Sequence, residues 1–132
     1  MNPVVHFEMP YEDRDRMASF YQKAFNWQTT MTGPEMGNYV VAHTTETDAN
    51  NMVQRPGAIN GGFFKKSAEN PFPSIVISVE NIEEAMKKVT DSGGKITMLE
   101  NGKPLDIPGI GLYAGFTDTE GNRVSLIQPK KM

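Results

Sequence analysis

Two histidines and no cysteine bound the chemistry open to this 132-residue chain. Thiol nucleophiles, thiolate metal sites and disulfides are excluded. His6 lies in an alternating run, Val4 to Met9, that also carries Glu8. An extended strand puts these two side chains on one face, with their bases roughly 7 Å apart. Such a pair can act as a general acid/base couple or hold a weakly bound ion. More simply, Glu8 is a partly solvated edge residue and His6 a hydrogen-bonded wall residue. The second histidine, His43, sits near the end of a predicted strand beside a polar loop, where exposure is the expectation. A two-histidine, one-carboxylate iron centre would have to recruit it.

Other groups carry weaker chemical signals. Ser74 and Ser125 lie in strand-like runs without a nucleophile-elbow pattern, which argues against a hydrolase. Gly61-Gly62 and the pair Gly109, Gly111 lack the strand-to-helix setting of a phosphate loop, so close backbone approach or a bulge explains them better. The nine methionines include Met9, Met17 and Met86 at core-facing positions, where methionine fills gaps. Lys65-Lys66 and Lys130-Lys131 are short solvated charge pairs.

The elements that must position these groups follow from periodicity. Val4 to Met9 is a half-buried strand with Val5, Phe7 and Met9 on one face and Val4, His6 and Glu8 on the other, ended by Pro10. Tyr11 to Asn26 reads as an amphipathic helix with Met17, Phe20, Tyr21, Ala24 and Phe25 inward and Glu12, Asp13 and Asp15 in its first turn. Strands Trp27 to Thr32, Tyr39 to Thr44 and Gly57 to Lys65 complete a first half, with a polar loop from Thr45 to Pro56. The second half repeats the order: strand Ser74 to Val79, helix Ile82 to Ser92 stopped by Gly93 and Gly94, then strands Lys95 to Leu99, Gly111 to Thr117 and Arg123 to Gln128. His6 and Asn60 are 54 positions apart and Ser74 and Ser125 are 51, a similar spacing that supports a duplication. The expected fold is therefore α+β, one domain over residues 1–132, built from two tandem βαβββ modules at about 3–65 and 73–129 joined by the polar segment Lys66 to Pro73.

Composition narrows the partners. With 38% hydrophobic and 22% charged residues, the chain can bury an ordinary core. Its net charge of -3, with Lys and Arg scattered, offers no footprint for nucleic acid or an anionic membrane. No apolar run approaches membrane-spanning length and no leader pattern opens the sequence, so a cytoplasmic protein is expected.

Several strings resemble the vicinal oxygen chelate superfamily, which includes glyoxalase I, bleomycin resistance proteins and extradiol dioxygenases. Asp118, Thr119, Glu120, Gly121 and Asn122 are similar to the D-x-x-G-N turn that precedes the family's last strand. Phe20-Tyr21 ahead of Trp27, and the run Ile75 to Gly94, resemble its two strand-helix units. Ile59-Asn60-Gly61-Gly62 and Ile107-Pro108-Gly109-Ile110-Gly111 are similar to a glyoxalase-related branch of unassigned activity. The resemblance implies a curved mixed sheet with a concave cleft and four functional positions at His6, about Asn60, Ser74 and Ser125. Where the family usually has His or Gln, Glu, His and Glu, only His6 remains a strong ligand, so no metal and no other cofactor is expected. If those positions face the cleft, the pleat adds Glu8, Phe64, Val76, Tyr113, Gly115 and Ile127 to its lining. What remains is a small-molecule-binding protein like the metal-free bleomycin-resistance branch. The alternative is a divergent lyase, isomerase or dioxygenase using His6, with or without Glu8 and an altered metal site. The resemblance further implies a homodimer formed by sheet edges and aromatic residues such as Trp27.

Overall fold

The computed structural model describes residues 1–130; Lys131, half of one expected lysine pair, lies outside them. The elements run β1 (Val4–Tyr11), α1 (Arg14–Phe25), β2 (Gln28–Met31), a single 3-10 turn (Pro34–Met36), β3 (Val40–His43), β4 (Asn60–Lys65), β5 (Ser74–Ser78), α2 (Ile82–Asp91), β6 (Lys95–Met98), β7 (Leu105–Ile107), β8 (Gly111–Thr117) and β9 (Arg123–Pro129). The fold is α+β and carries the βαβββ order twice, with β7 added to the second module. The chain divides into two compact units, one from His6 to Pro73 and the other from Ser74 onward with Met1–Val5. The first residues belong with the second half because Ser78 N–H donates to Pro3 O at 2.9 Å.

In the first unit the strand order is β2-β3-β4-β1, with β1 and β4 parallel and the remaining pairs antiparallel. Phe7, Met9 and Tyr11 of β1 pack with Val40, Ala42 and Phe63 against Met17 and Tyr21 of α1. The strand continues past Pro10, contrary to the sequence expectation. Tyr11 O accepts from Lys66 N–H at 2.9 Å, and successive residues turn their backbone groups to opposite sides. Pro10's missing N–H therefore faces away from β4 and interrupts no bond of this pair.

Helix α1 starts later than periodicity suggests. Asp13 is its cap, with extended backbone and a carboxylate that accepts from Arg16 N–H at 3.0 Å. Asn26, at φ 61°, closes the other end by donating to Gln22 O and Tyr21 O. Met17 and Tyr21 face the core as expected, whereas Phe20, Ala24 and Phe25 are exposed. Trp27 is half-buried and stacks on Tyr21 with ring centroids 4.5 Å apart.

The second unit repeats the plan with order β5-β9-β8-β6, β5 and β9 parallel and β7 on β8. Helix α2 is capped by Asn81, which accepts from Glu84 N–H at 3.1 Å. Its inner residues Ile82, Ala85, Met86 and Val89 meet Ile77, Val79, Leu112, Ala114, Phe116 and Leu126. Gly93, at φ 98°, lets the chain leave the helix. The polar turn Asp118 to Asn122 closes the β8–β9 hairpin: Asp118 Oδ1 accepts from Glu120 N–H at 2.8 Å and Asn122 N–H at 2.9 Å.

Candidate functional site

In each unit one sheet face packs on the helix, and the chemistry-bearing side chains lie on the other. The register of the first unit pairs His6 with Asn60 and Glu8 with Gly62. Since Phe7 and Phe63 face α1, alternation puts His6, Glu8, Asn60, Gly62 and Phe64 together on the helix-free face. Val41 and Ala42 pair with Gly62 and Gly61, so Tyr39, Val41 and His43 reach that face from the neighbouring strand.

His6 is exposed, and its Nδ1 lies 3.0 Å from Asn60 O. The Glu8 carboxylate accepts from the Tyr39 hydroxyl at 3.1 Å. Gly62 makes that reach feasible, because a Cβ there would overlap the Tyr39 phenol ring. Close approach is thus the reason for this glycine. Asn60 is buried at 7% exposure, and its side-chain oxygen accepts from Thr44 N–H at 2.8 Å and Thr45 N–H at 3.1 Å. Its amide oxygen thereby fastens the turn out of β3. Phe64 supplies a half-buried apolar wall.

The second unit has a comparable face. Val76 pairs with Ser125, which in turn pairs with Gly115, and Tyr113 pairs with Ile127. All five face away from α2, as does Ser74 at the start of β5. Val76 and Ile127 are buried at 3% and 9% exposure, and Ser125 at 7%. The Tyr113 hydroxyl donates to Ser125 Oγ at 2.6 Å. Gly115 brings β6 close: the Cβ of Met98 lies 3.0 Å from the place a Cβ at Gly115 would take. Ser74 is tied to the backbone, its Oγ donating to Arg123 O and Ile75 O, each at 3.3 Å.

Sequence reasoning gathers His6, Glu8, Asn60, Phe64, Ser74, Tyr113 and Ser125 in one cleft; the structure puts the first four on one face of the first unit and the last three on one face of the second. Sequence reasoning misses Tyr39 as the partner of Glu8. That residue lies one step ahead of β3, and its face is readable by alternation once β3 is known to flank β4. His43 shares the face of His6, but β4 lies between their strands, which puts them roughly 10 Å apart. Among the described residues no three His, Asp or Glu side chains are grouped to hold a metal ion.

A tandem βαβββ α+β chain with polar residues on helix-free sheet faces defines a known class of protein. The family model for the Glyoxalase/Bleomycin resistance protein/Dioxygenase superfamily matches residues 4–126, and the chain belongs to that superfamily. A comparison with curated proteins found no match. Among solved structures, a hypothetical protein from Bacillus halodurans C-125 is 15% identical, covers 99% of this chain and 96% of its own, and superposes with a TM-score of 0.66. Streptomyces coelicolor methylmalonyl-CoA epimerase in complex with 2-nitronate-propionyl-CoA is 11% identical, with 97% of each chain covered and a TM-score of 0.68. A methylmalonyl-CoA epimerase in complex with methylmalonyl-CoA and NH4+ is 13% identical, with 98% and 95% covered and a TM-score of 0.68. At these identities the likeness is one of fold.

Proposed function

We propose that this chain binds a small organic molecule on its helix-free sheet faces and lacks the usual metal-ligand set of its superfamily. The observation that carries this reading is the setting of Ser125. A sheet face left without its own helix is ordinarily polar and solvated. Here a buried serine and a tyrosine hydroxyl sit among Val76 and Ile127, themselves buried. Apolar walls with a few hydrogen-bonding groups are the makeup of a ligand pocket. Each unit has its own proposed binding residues: His6, Glu8, Asn60 and Phe64 in the first, and Ser74, Tyr113 and Ser125 in the second. The epimerase structures hold acyl-CoA ligands, which makes acyl thioesters the first compounds to try. A cytoplasmic setting, which a cysteine-free chain suits, and a homodimer complete the proposal. Exposed Phe20 and Phe25, at 56% and 61%, favour a dimer contact beside half-buried Trp27.

A second reading has its own support. His6 is exposed yet anchored through one ring nitrogen, as a general base needs to be. A lyase, isomerase or dioxygenase reaction through His6, with or without Glu8, fits that geometry.

Thermal-shift screening of acyl thioesters and small organic acids tests the first reading. A ligand that stabilises the native chain should raise its midpoint through mass action. His6→Ala and Tyr113→Phe should each weaken that rise, and His6→Ala should leave the unliganded midpoint nearly unchanged because an exposed side chain packs little. Binding unaffected by either substitution would remove both faces from consideration. Light scattering that returns the 14.7 kDa monomer at micromolar concentration would remove the dimer.

A further inference from the structure

We infer that His6 is held as the Nδ1–H tautomer and offers a bare Nε2, so the ligand group it recognises is a hydrogen-bond donor, an alcohol or an amine. This rests on the proposed binding face and names the chemistry taken at its His6 end. The partner of Nδ1 is a backbone carbonyl, which can only accept, so Nδ1 must carry the proton of their 3.0 Å hydrogen bond. A neutral imidazole has one N–H, and its other nitrogen is then a lone-pair acceptor. The carbonyl side of this bond is fixed. Asn60 is the register partner of His6 in a parallel pair, and it is clamped to Thr44 and Thr45 through its own amide oxygen. Thr44 Oγ1 adds a bond to Ile59 O at 2.6 Å.

The surroundings reinforce the polarity. Glu8, one pleat repeat along the same face, is a carboxylate, and an ionised carboxylate only accepts. One of its oxygens takes the Tyr39 proton, and a carboxylate has lone pairs for several donors. A ligand carboxylate or phosphate at this end would bring no proton to the bare Nε2 and would share the face with an anionic side chain. A hydroxyl or ammonium group would meet matching acceptors, and Phe64 on the same face gives an attached ring an apolar surface.

The test is long-range proton–nitrogen NMR on 15N-labelled protein at about pH 8, above the ordinary imidazole range. Wild type and His43→Gln are compared, the latter leaving His6 as the single histidine. The expected spectrum has a protonated Nδ1 and a bare Nε2 for His6 in both. Benzyl alcohol, benzylamine and benzoate are then titrated. The alcohol and the amine should move the Nε2 resonance upfield, and benzoate should move it less than either. An Nε2–H tautomer or a rapid mixture overturns the inference, as does benzoate shifting Nε2 as far as the other probes. Silence from all three probes also overturns it. The broader binding function would survive each of these results if Tyr113→Phe still abolished a thermal shift found by screening.

Discussion

The Tyr39 hydroxyl crosses the sheet above Gly62 to donate to the Glu8 carboxylate at 3.1 Å. Three strands meet in that one contact, since Glu8 is on β1, Gly62 on β4, and Tyr39 at the entrance to β3. The space above Gly62 is filled by the phenol, so a methyl group there must displace it. Gly62→Ala should cost about 2 kcal/mol, in the range of overpacked sites, read as a lower urea midpoint. Tyr39→Ala opens the same space, and the double variant should be less destabilised than the sum of the two single changes. Strict additivity would mean that the two positions do not compete for that space.

Tyr113 and Ser125 predict a cost of a different kind. Ser125 Oγ is buried, and among the described residues its side-chain hydrogen bond is the one from Tyr113. Tyr113→Phe removes the donor while leaving the ring, so stability should fall by about 1 kcal/mol through the unmatched hydroxyl. For a chain of this size the melting midpoint should drop about 4 °C. Ser125→Ala in the same background removes the orphaned oxygen and should recover part of the loss. A Tyr113→Phe protein as stable as wild type would show that the contact contributes nothing to folding.

These two contacts mark how far the sequence is legible. The face of each strand can be read from alternation alone, because a period of two leaves one choice: Phe7 and Met9 inward, His6 and Glu8 outward. The partner of Glu8 cannot, because pairing between β3 and β4 spans the polar loop and no local pattern encodes it. At α1 periodicity makes the apolar stripe too broad. Phe20 and Phe25 keep helical spacing with Met17 and Tyr21, yet only the latter two meet the sheet, and composition cannot say where a packed stripe stops. Asp13 reads as part of the helix because an acidic residue suits both a cap and a first turn. Strand β7 escapes notice since three residues, Leu105–Ile107, are too short for any periodicity to register.

Metal content should follow the ligand groups. The four positions that the resemblance implies for ligands are His6, Asn60, Ser74 and Ser125, and the oxygens of the last three are engaged in internal hydrogen bonds. Neutral amide and hydroxyl groups are poor ligands for transition metals in any case. Dialysed protein should retain no stoichiometric Zn, Ni, Mn or Fe by elemental analysis, and it should not convert the methylglyoxal–glutathione hemithioacetal. About one metal per chain after dialysis would reverse this expectation, and metal-dependent conversion would reverse it more completely.

The Asp118 turn yields a prediction about acid. Hydrogen bonds from the Asn122 side-chain amide, then from the Asn122 and Glu120 backbone N–H groups, hold the Asp118 carboxyl below its ordinary value of 3.8. These bonds are made to the ionised form and vanish in the unfolded chain, so the folded state binds the proton less readily than the unfolded one. Stability from this source is therefore fully present above the ordinary carboxylate range and is lost as pH falls through the lowered folded value. Asp118→Asn keeps an oxygen acceptor for the backbone donors but cannot titrate. Its unfolding midpoint should be lower than wild type near neutrality, and the gap should close as the pH is taken down through the acid range. Asp48, lowered by bonds from Met52 and Asn50 N–H, adds an acid dependence of the same sign, so measurements belong in an Asp48→Asn background as well. If the difference between wild type and the Asp118→Asn variant stays constant from neutral pH into strong acid, the turn's charge has no part in stability.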